Sequence, residues 1–181
     1  QHIHEVMNRV AGAWVVRGSG QEHRTAIRSP VLGGGGACGG FLPLENGIPV
    51  RPAGFCNINQ FIELYSEEAR AIEVIRGPGS ALYGSNALHG TLNVLMPMPG
   101  RGSAAHLSVE AGANRFFRGS MLLPDATDVP WLVAATYAHD GGFRDDSGYE
   151  QGKLHVKRGW SGVRDDFTLG FTATGLDQQS A

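Results

Sequence analysis

No apolar stretch approaches the roughly 18 residues that a membrane-crossing helix requires, which excludes a helical transmembrane anchor within this sequence. Crossing by β-strands stays open, because a barrel strand needs only a short alternating segment. Charge of one sign is also missing: the formal net charge is −2, so no global basic field draws the chain to nucleic acid. The first residues, "QHIHEVMNRV", have no initiating Met, no basic stretch and no apolar core of a signal peptide, and read as processed or cut from something longer. Seven histidines are scattered, and His2 and His4 do not share a helix face. No cysteine or histidine grouping has zinc spacing, so neither metal nor cofactor is expected. No nucleophile, base and orienting group occur together in a catalytic motif, which disfavours an enzyme.

Glycine, in contrast, is abundant. At 27 of 181 residues it is about twice the usual share, which predicts many turns and close backbone approaches. Cysteine is nearly absent. Cys38 and Cys56 both lie among glycines and prolines in "GGGGACGGFLPLENGIPVRPAGFCNINQF". They are either unrelated buried thiols or a disulfide, which would close a loop worth about 3 kcal/mol and place the chain in an oxidising compartment.

Along the first half, Ile3, Val6, Met7 and Val10 stand at helical spacing before Gly12. "AWVVRG" and "RTAIRS" read as short strands. Asn46-Gly47 between apolar runs is a hairpin signal, since both central positions favour positive φ. "NINQFIELYSEEARA" predicts a helical turn or two. "MPMPGRGSA" then breaks regular structure and marks a boundary.

Beyond it the period changes to two. Leu107, Val109 and Ala111 oppose His106, Ser108 and Glu110; Trp131, Val133, Ala135 and Tyr137 share a side; Leu154 and Val156 oppose Lys153, His155 and Lys157; Phe167, Leu169, Phe171 and Ala173 oppose Thr168, Thr172 and Thr174. Turn-rich segments separate these runs, so they are expected to be antiparallel neighbours. A soluble sandwich would show the same alternation. Aromatics near strand ends (Trp131, Tyr137, Trp160, Phe167) and a charged opposite face favour a membrane barrel.

The most distinctive stretch is "IEVIRGPGSALYGSNALHGTLNVLM", residues 72–96. As a dinucleotide loop it fails, because Leu82 stands where the third glycine is needed and Pro78 lacks the N–H that would face a phosphate. No Gly-Lys-Ser/Thr follows, so it is not a P-loop. Arg76 closes the Ile72/Val74 row, either as a solvated strand end or as a charge that needs a partner.

This stretch resembles the plug signature of TonB-dependent outer-membrane receptors, I-E-V-x-R-G-P-x-S-x-L-Y-G-x-x-A-x-G-G-x-I-N. The chain supplies Ile72, Glu73, Val74, Arg76, Gly77, Pro78, Ser80, Leu82, Tyr83, Gly84, Ala87, Gly90, Leu92 and Asn93. "EVMNRVAGAWV", "RTAIRS" and "PLENGIPV" resemble earlier plug segments in the family's order, over residues 4 to 96. Ser29 and His89 stand where the family usually has glycine, and "MPMP" replaces a usual Thr-Lys.

The resemblance implies an α+β globular plug, residues 1–98, followed by antiparallel β-strands of an incomplete transmembrane β-barrel, residues 99–181, the whole barrel having about 22 strands. It implies a receptor in the outer membrane of a Gram-negative cell that takes up a scarce ligand, a ferric siderophore first. Its partners would be outer-membrane lipid and the TonB energy-coupling complex, acting through a segment upstream of Gln1. Arg28 and Arg76, with Glu73 beside them in the motif, are the implied electrostatic contacts between plug and barrel. Gly77, Pro78, Tyr83, Gly84, Gly90 and Asn93 are expected to shape the turn that returns "TLNVL" beside "IEVIR". Arg51, Pro52 and Phe55 are candidate ligand contacts at a loop tip, which a Cys38–Cys56 bond would brace. The alternative is a soluble periplasmic or secreted β-rich binding module.

Overall fold

A computed structural model describes residues 3–18, 20–31, 40–50, 60–100, 104–125 and 127–179. The chain divides into two compact units, Gln1–Met96 and Pro97–Ala181.

In the first unit, α1 (Ile3–Met7) buries Ile3 and Met7, one turn apart on one face. The chain leaves the helix through Gly12 at φ 78°, a conformation that favours glycine. Asn8 fastens the helix to the strand that follows: its Oδ1 accepts from the Val15 N–H at 2.9 Å and its Nδ2 donates to the Val15 carbonyl at 3.4 Å. β1 (Ala13–Arg17) and β2 (His23–Ile27) form an antiparallel ribbon in which Ala13 faces Ile27.

A second sheet holds β3 (Phe41–Glu45), β4 (Ile48–Pro49), β5 (Ala71–Arg76) and β6 (Gly90–Leu95) in the order β4-β3-β6-β5. Asn46 and Gly47 turn β3 into β4 at φ 51° and 82°, as the Asn-Gly pair predicts. β5 and β6 are antiparallel, so "TLNVL" does return beside "IEVIR". β6 also pairs in parallel with β3 and is the most buried strand of the sheet. Leu42, Leu44 and Ala87 pack together with Tyr83 against them. Residues 60–65 contribute a single 3-10 turn, Gln60–Ile62. Leu64 and Tyr65 are both fully buried, and consecutive side chains cannot share one face of a longer surface helix.

The second unit is an antiparallel meander: β7 (His106–Ala111), β8 (Phe117–Pro124), β9 (Trp131–Asp140), β10 (Tyr149–Ser161) and β11 (Asp166–Gln178), each paired with the next. β10 and β11 have 13 residues each, about 40 Å of strand, which spans a bilayer core even when tilted by about 45°. Burial here is inverted relative to a water-soluble sheet. Lys153, His155 and Lys157 are buried, His155 to 1% exposure, while Leu107 is 77% exposed and Phe167, Leu169 and Phe171 are 61%, 59% and 60% exposed. Registers join the apolar residues into continuous rows, such as Leu107–Met121–Ala135–Leu154–Ala173. The opposite face carries Glu110–Arg118, an ion pair at 2.5 Å, and the His155–Thr172 hydrogen bond at 2.7 Å. Trp160 and Phe167 face each other near the β10–β11 turn with ring centres 5.5 Å apart. Tyr137, toward the other end, donates to Glu150 Oε1 at 2.9 Å.

Candidate functional site

The two arginines singled out from the sequence end two different strands and meet at one turn. Arg28 follows β2 and Arg76 closes β5. Arg28 adopts φ 48°, rare for a residue with a side chain, and its N–H donates to the Gly12 carbonyl at 2.8 Å. Ser29, in the position where the signature has glycine, donates its hydroxyl to the Pro30 carbonyl at 2.9 Å. Arg76 Nη1 donates to the Ala11 carbonyl at 2.7 Å. A Cβ on Gly12 would lie 3.5 Å from Arg28 Cγ and 4.0 Å from Arg76 Cδ, so both side chains flank the Ala11–Gly12 platform. Arg28 and Arg76 are exposed, which leaves two neighbouring cations able to receive carboxylates.

Glu73 is not part of this pair. Its Oε2 accepts from Asn93 Nδ2 at 2.9 Å, directly across the β5–β6 register. Asn93 Oδ1 in turn accepts from the Gly47 N–H at 2.9 Å, and Asn46 Oδ1 accepts from the Met96 N–H at 3.0 Å. Glu73 and Asn93 therefore belong to a polar network that ties the hairpin turn to β6.

The remaining signature residues build the connection between β5 and β6. Gly77 N–H donates to the His89 carbonyl at 2.9 Å, and Gly79 N–H to the Ala87 carbonyl at 2.8 Å. Ser80, after Pro78, caps a 3-10 turn, Ala81–Tyr83, by accepting from the Leu82 N–H at 3.2 Å. Gly84 ends it at φ 84°. Gly90 faces Arg76 across the register, and a Cβ there would sit 2.9 Å from Ile27 Cδ1 and from the Ile75 carbonyl, so only glycine lets β2 approach. His89 is accommodated: its ring lies 5.9 Å from that of Phe41, and its N–H reaches the Gly40 carbonyl at 2.8 Å. This is a hydrogen-bonded turn, not a phosphate cradle.

Cys38, Cys56, Arg51, Pro52 and Phe55 lie outside the described residues. Among the described residues no group of three or more His, Cys, Asp or Glu could hold a metal ion. Sequence reasoning missed the Ala11–Gly12 platform and the Asn46 and Asn93 side-chain anchors. The Asn-Gly pair was visible, but it announces a turn and not what the Asn side chain will bind.

The family profile described as TonB-dependent Receptor Plug Domain matches residues 1–91. The chain belongs to the TonB-dependent receptors. Among curated proteins, the vitamin B12 transporter BtuB of Photobacterium profundum is 30% identical over 117 residues, covering 64% of this chain and 18% of that protein. Among solved structures, the pyoverdine outer membrane receptor FpvA of Pseudomonas aeruginosa PAO1, bound to pyoverdine, superposes with a TM-score of 0.69 at 18% identity over 98% of this chain and 26% of that one. The ferric yersiniabactin uptake receptor FyuA of Yersinia pestis gives 0.66 at 15% identity over 96% and 28%. This TonB-dependent receptor chain thus spans under a third of the length of those relatives. The first unit is the plug fold and the second is barrel-type wall, which places the receptor in the outer membrane of a Gram-negative cell.

Proposed function

We propose that the intact receptor imports a scarce ligand, a ferric siderophore, across the outer membrane, with residues 1–98 as the plug that gates the barrel. The observation that carries the reading is the wall with polar side chains buried and apolar side chains exposed, joined in one chain to a plug fold. Such a wall separates lipid from an aqueous lumen, and a plug inside it makes passage conditional. In this reading TonB pulls an extended segment upstream of Gln1 by strand addition, the plug rearranges, and no bond in the ligand is made or broken. Siderophore cargo is supported by likeness to receptors described for pyoverdine and for ferric yersiniabactin.

Arg28 and Arg76 serve as the register device: two exposed cations on one platform that meet barrel carboxylates and release them on rehydration. Such pairs fix geometry more than they add stability. Arg76→Ala in the full receptor should loosen plug docking, read as weaker exclusion of large antibiotics and slower uptake.

A second cargo, cobalamin, is favoured by the 30% identity to a protein described as a vitamin B12 transporter. Uptake assays with the full receptor in a TonB-proficient and a TonB-deficient strain separate the two. TonB-dependent accumulation of radiolabelled ferric siderophore is the expected result. Accumulation of labelled cobalamin with no iron uptake would replace the siderophore reading, and uptake of either without TonB would overturn the mechanism.

A further inference from the structure

The "MPMP" segment, read from the sequence as a boundary, is not loose chain. Met96 is 1% exposed, and Pro97 and Pro99 are buried as well. Two prolines remove two N–H donors and favour extended backbone at Met96 and Met98, and residues 96–98 lie outside every strand, which leaves their carbonyls open to side-chain partners.

The partner supplied is a buried lysine. Lys157, on the polar face of β10 and 4% exposed, donates its Nζ to the Pro97 carbonyl at 3.4 Å and reaches the Met98 Sδ at 4.0 Å. Its alkyl stem lies over Gly170, its register partner on β11, where a Cβ would fall 3.7 Å from Lys157 Cγ and 3.9 Å from Cε. A close packing contact lies beside it. Gly100, at φ 67°, has its Cβ position 3.0 Å from Pro130 Cβ, and Pro130 is itself held by the Gly159 N–H donating to its carbonyl at 2.9 Å. Residues 97–100 are therefore bonded to β10 through Lys157, with Gly100 packed close to Pro130, whose carbonyl accepts from Gly159.

We propose that Lys157 is the positioning residue that clamps the connector, residues 97–100, to the barrel wall, so that the C-terminal attachment of the plug stays fixed while the rest of the plug moves. An ammonium taken out of water needs acceptors, and the Pro97 carbonyl, which lies outside every strand, is one within its reach. The clamp rests on the reading of the first unit as a gating plug only for its purpose. The fastening itself is a property of the wall and the connector.

The test is hydrogen exchange, read by mass spectrometry on the purified full receptor, over a peptide covering residues 96–106. Lys157→Met keeps the stem and removes the donor. It should speed exchange over this peptide about tenfold, the factor that a charged hydrogen bond is worth, with β10 and β11 amides unchanged. Lys157→Arg should restore most of the protection, and Met98→Ala should have a smaller effect than Lys157→Met. Unchanged connector exchange in Lys157→Met would overturn the clamp. So would equal acceleration across β9 to β11, which would make Lys157 a general stabiliser. If Lys157→Met fails to assemble, Lys157→Arg carries the test: native connector protection supports the clamp, and full loss of protection in an assembled barrel overturns it. Because exchange needs no ligand, failure of the uptake assays leaves this outcome untouched, and the converse also holds.

Discussion

The plug buries what the wall exposes. In the first unit Met7, Ile27, Leu44, Leu64, Leu92 and Val94 are fully buried, and Arg28, Glu73 and Arg76 are exposed. In the second, Lys153, His155 and Lys157 are buried, and Leu107, Val109, Leu169 and Phe171 stand open. Both units use strands with side chains alternating between faces. The sign of the alternation differs because each unit is built for different surroundings: the first for a dry core with water outside it, the second for lipid on one face and a polar face on the other.

The largest test of that difference is a matched truncation in the full receptor. Leu92→Ala removes a fully buried plug side chain and should cost about 2–5 kcal/mol, seen as a lowered plug unfolding midpoint in denaturant. Leu169→Ala, at a residue 59% exposed, should leave that midpoint unmoved. Next comes charge in the wall. Leu154→Arg, in the middle of the exposed row, should cost about 2–4 kcal/mol for barrel insertion into liposomes if that row lies at the bilayer midplane. An arginine in place of exposed Glu63 or Ile48 of the plug should cost far less.

Asn93→Ala sharpens the comparison inside the plug. It leaves Glu73 Oε2 and the Gly47 N–H without this partner and should destabilise the plug by about 1–3 kcal/mol, with barrel insertion unaffected. The smallest effect is a pH dependence. Burial and then the nearby Arg17 hold His4 below its ordinary pKa of 6.5, against a weaker opposing pull from Glu5. A histidine lowered in the folded state favours folding while neutral. Its contribution is complete above the ordinary value and declines as pH falls below it, until the folded-state pKa is passed. His4 is only partly buried, so plug stability should sag only slightly on acidification, and His4→Gln should flatten that slope.

Much of this was legible because local rules fix it. The wall strands follow from period-two alternation, and the β3–β4 turn from Asn46-Gly47. The β5–β6 return follows from two β-type runs flanking the glycine-rich motif. What was not legible required distant chain to meet. Arg76 bonds to Ala11, 65 positions away, and nothing in either local sequence announces it. The parallel pairing of β3 with β6 needs a crossover whose path no turn signal encodes. Glu73 was grouped with the arginines by its place in the motif, but strand register points it at Asn93 instead. Lys157 read correctly as the polar face of a strand, and its clamp on Pro97 depended on where the "MPMP" segment lies.

The most direct test of a plug followed by a lipid-facing wall is site-directed spin labelling along β10, residues 149–161, in the full receptor in liposomes. Oxygen accessibility should alternate with period two, high at positions 152, 154 and 156 and low at 151, 153, 155 and 157. An alternation of opposite phase, or uniform exposure to a water-soluble relaxation agent along the strand, would contradict it.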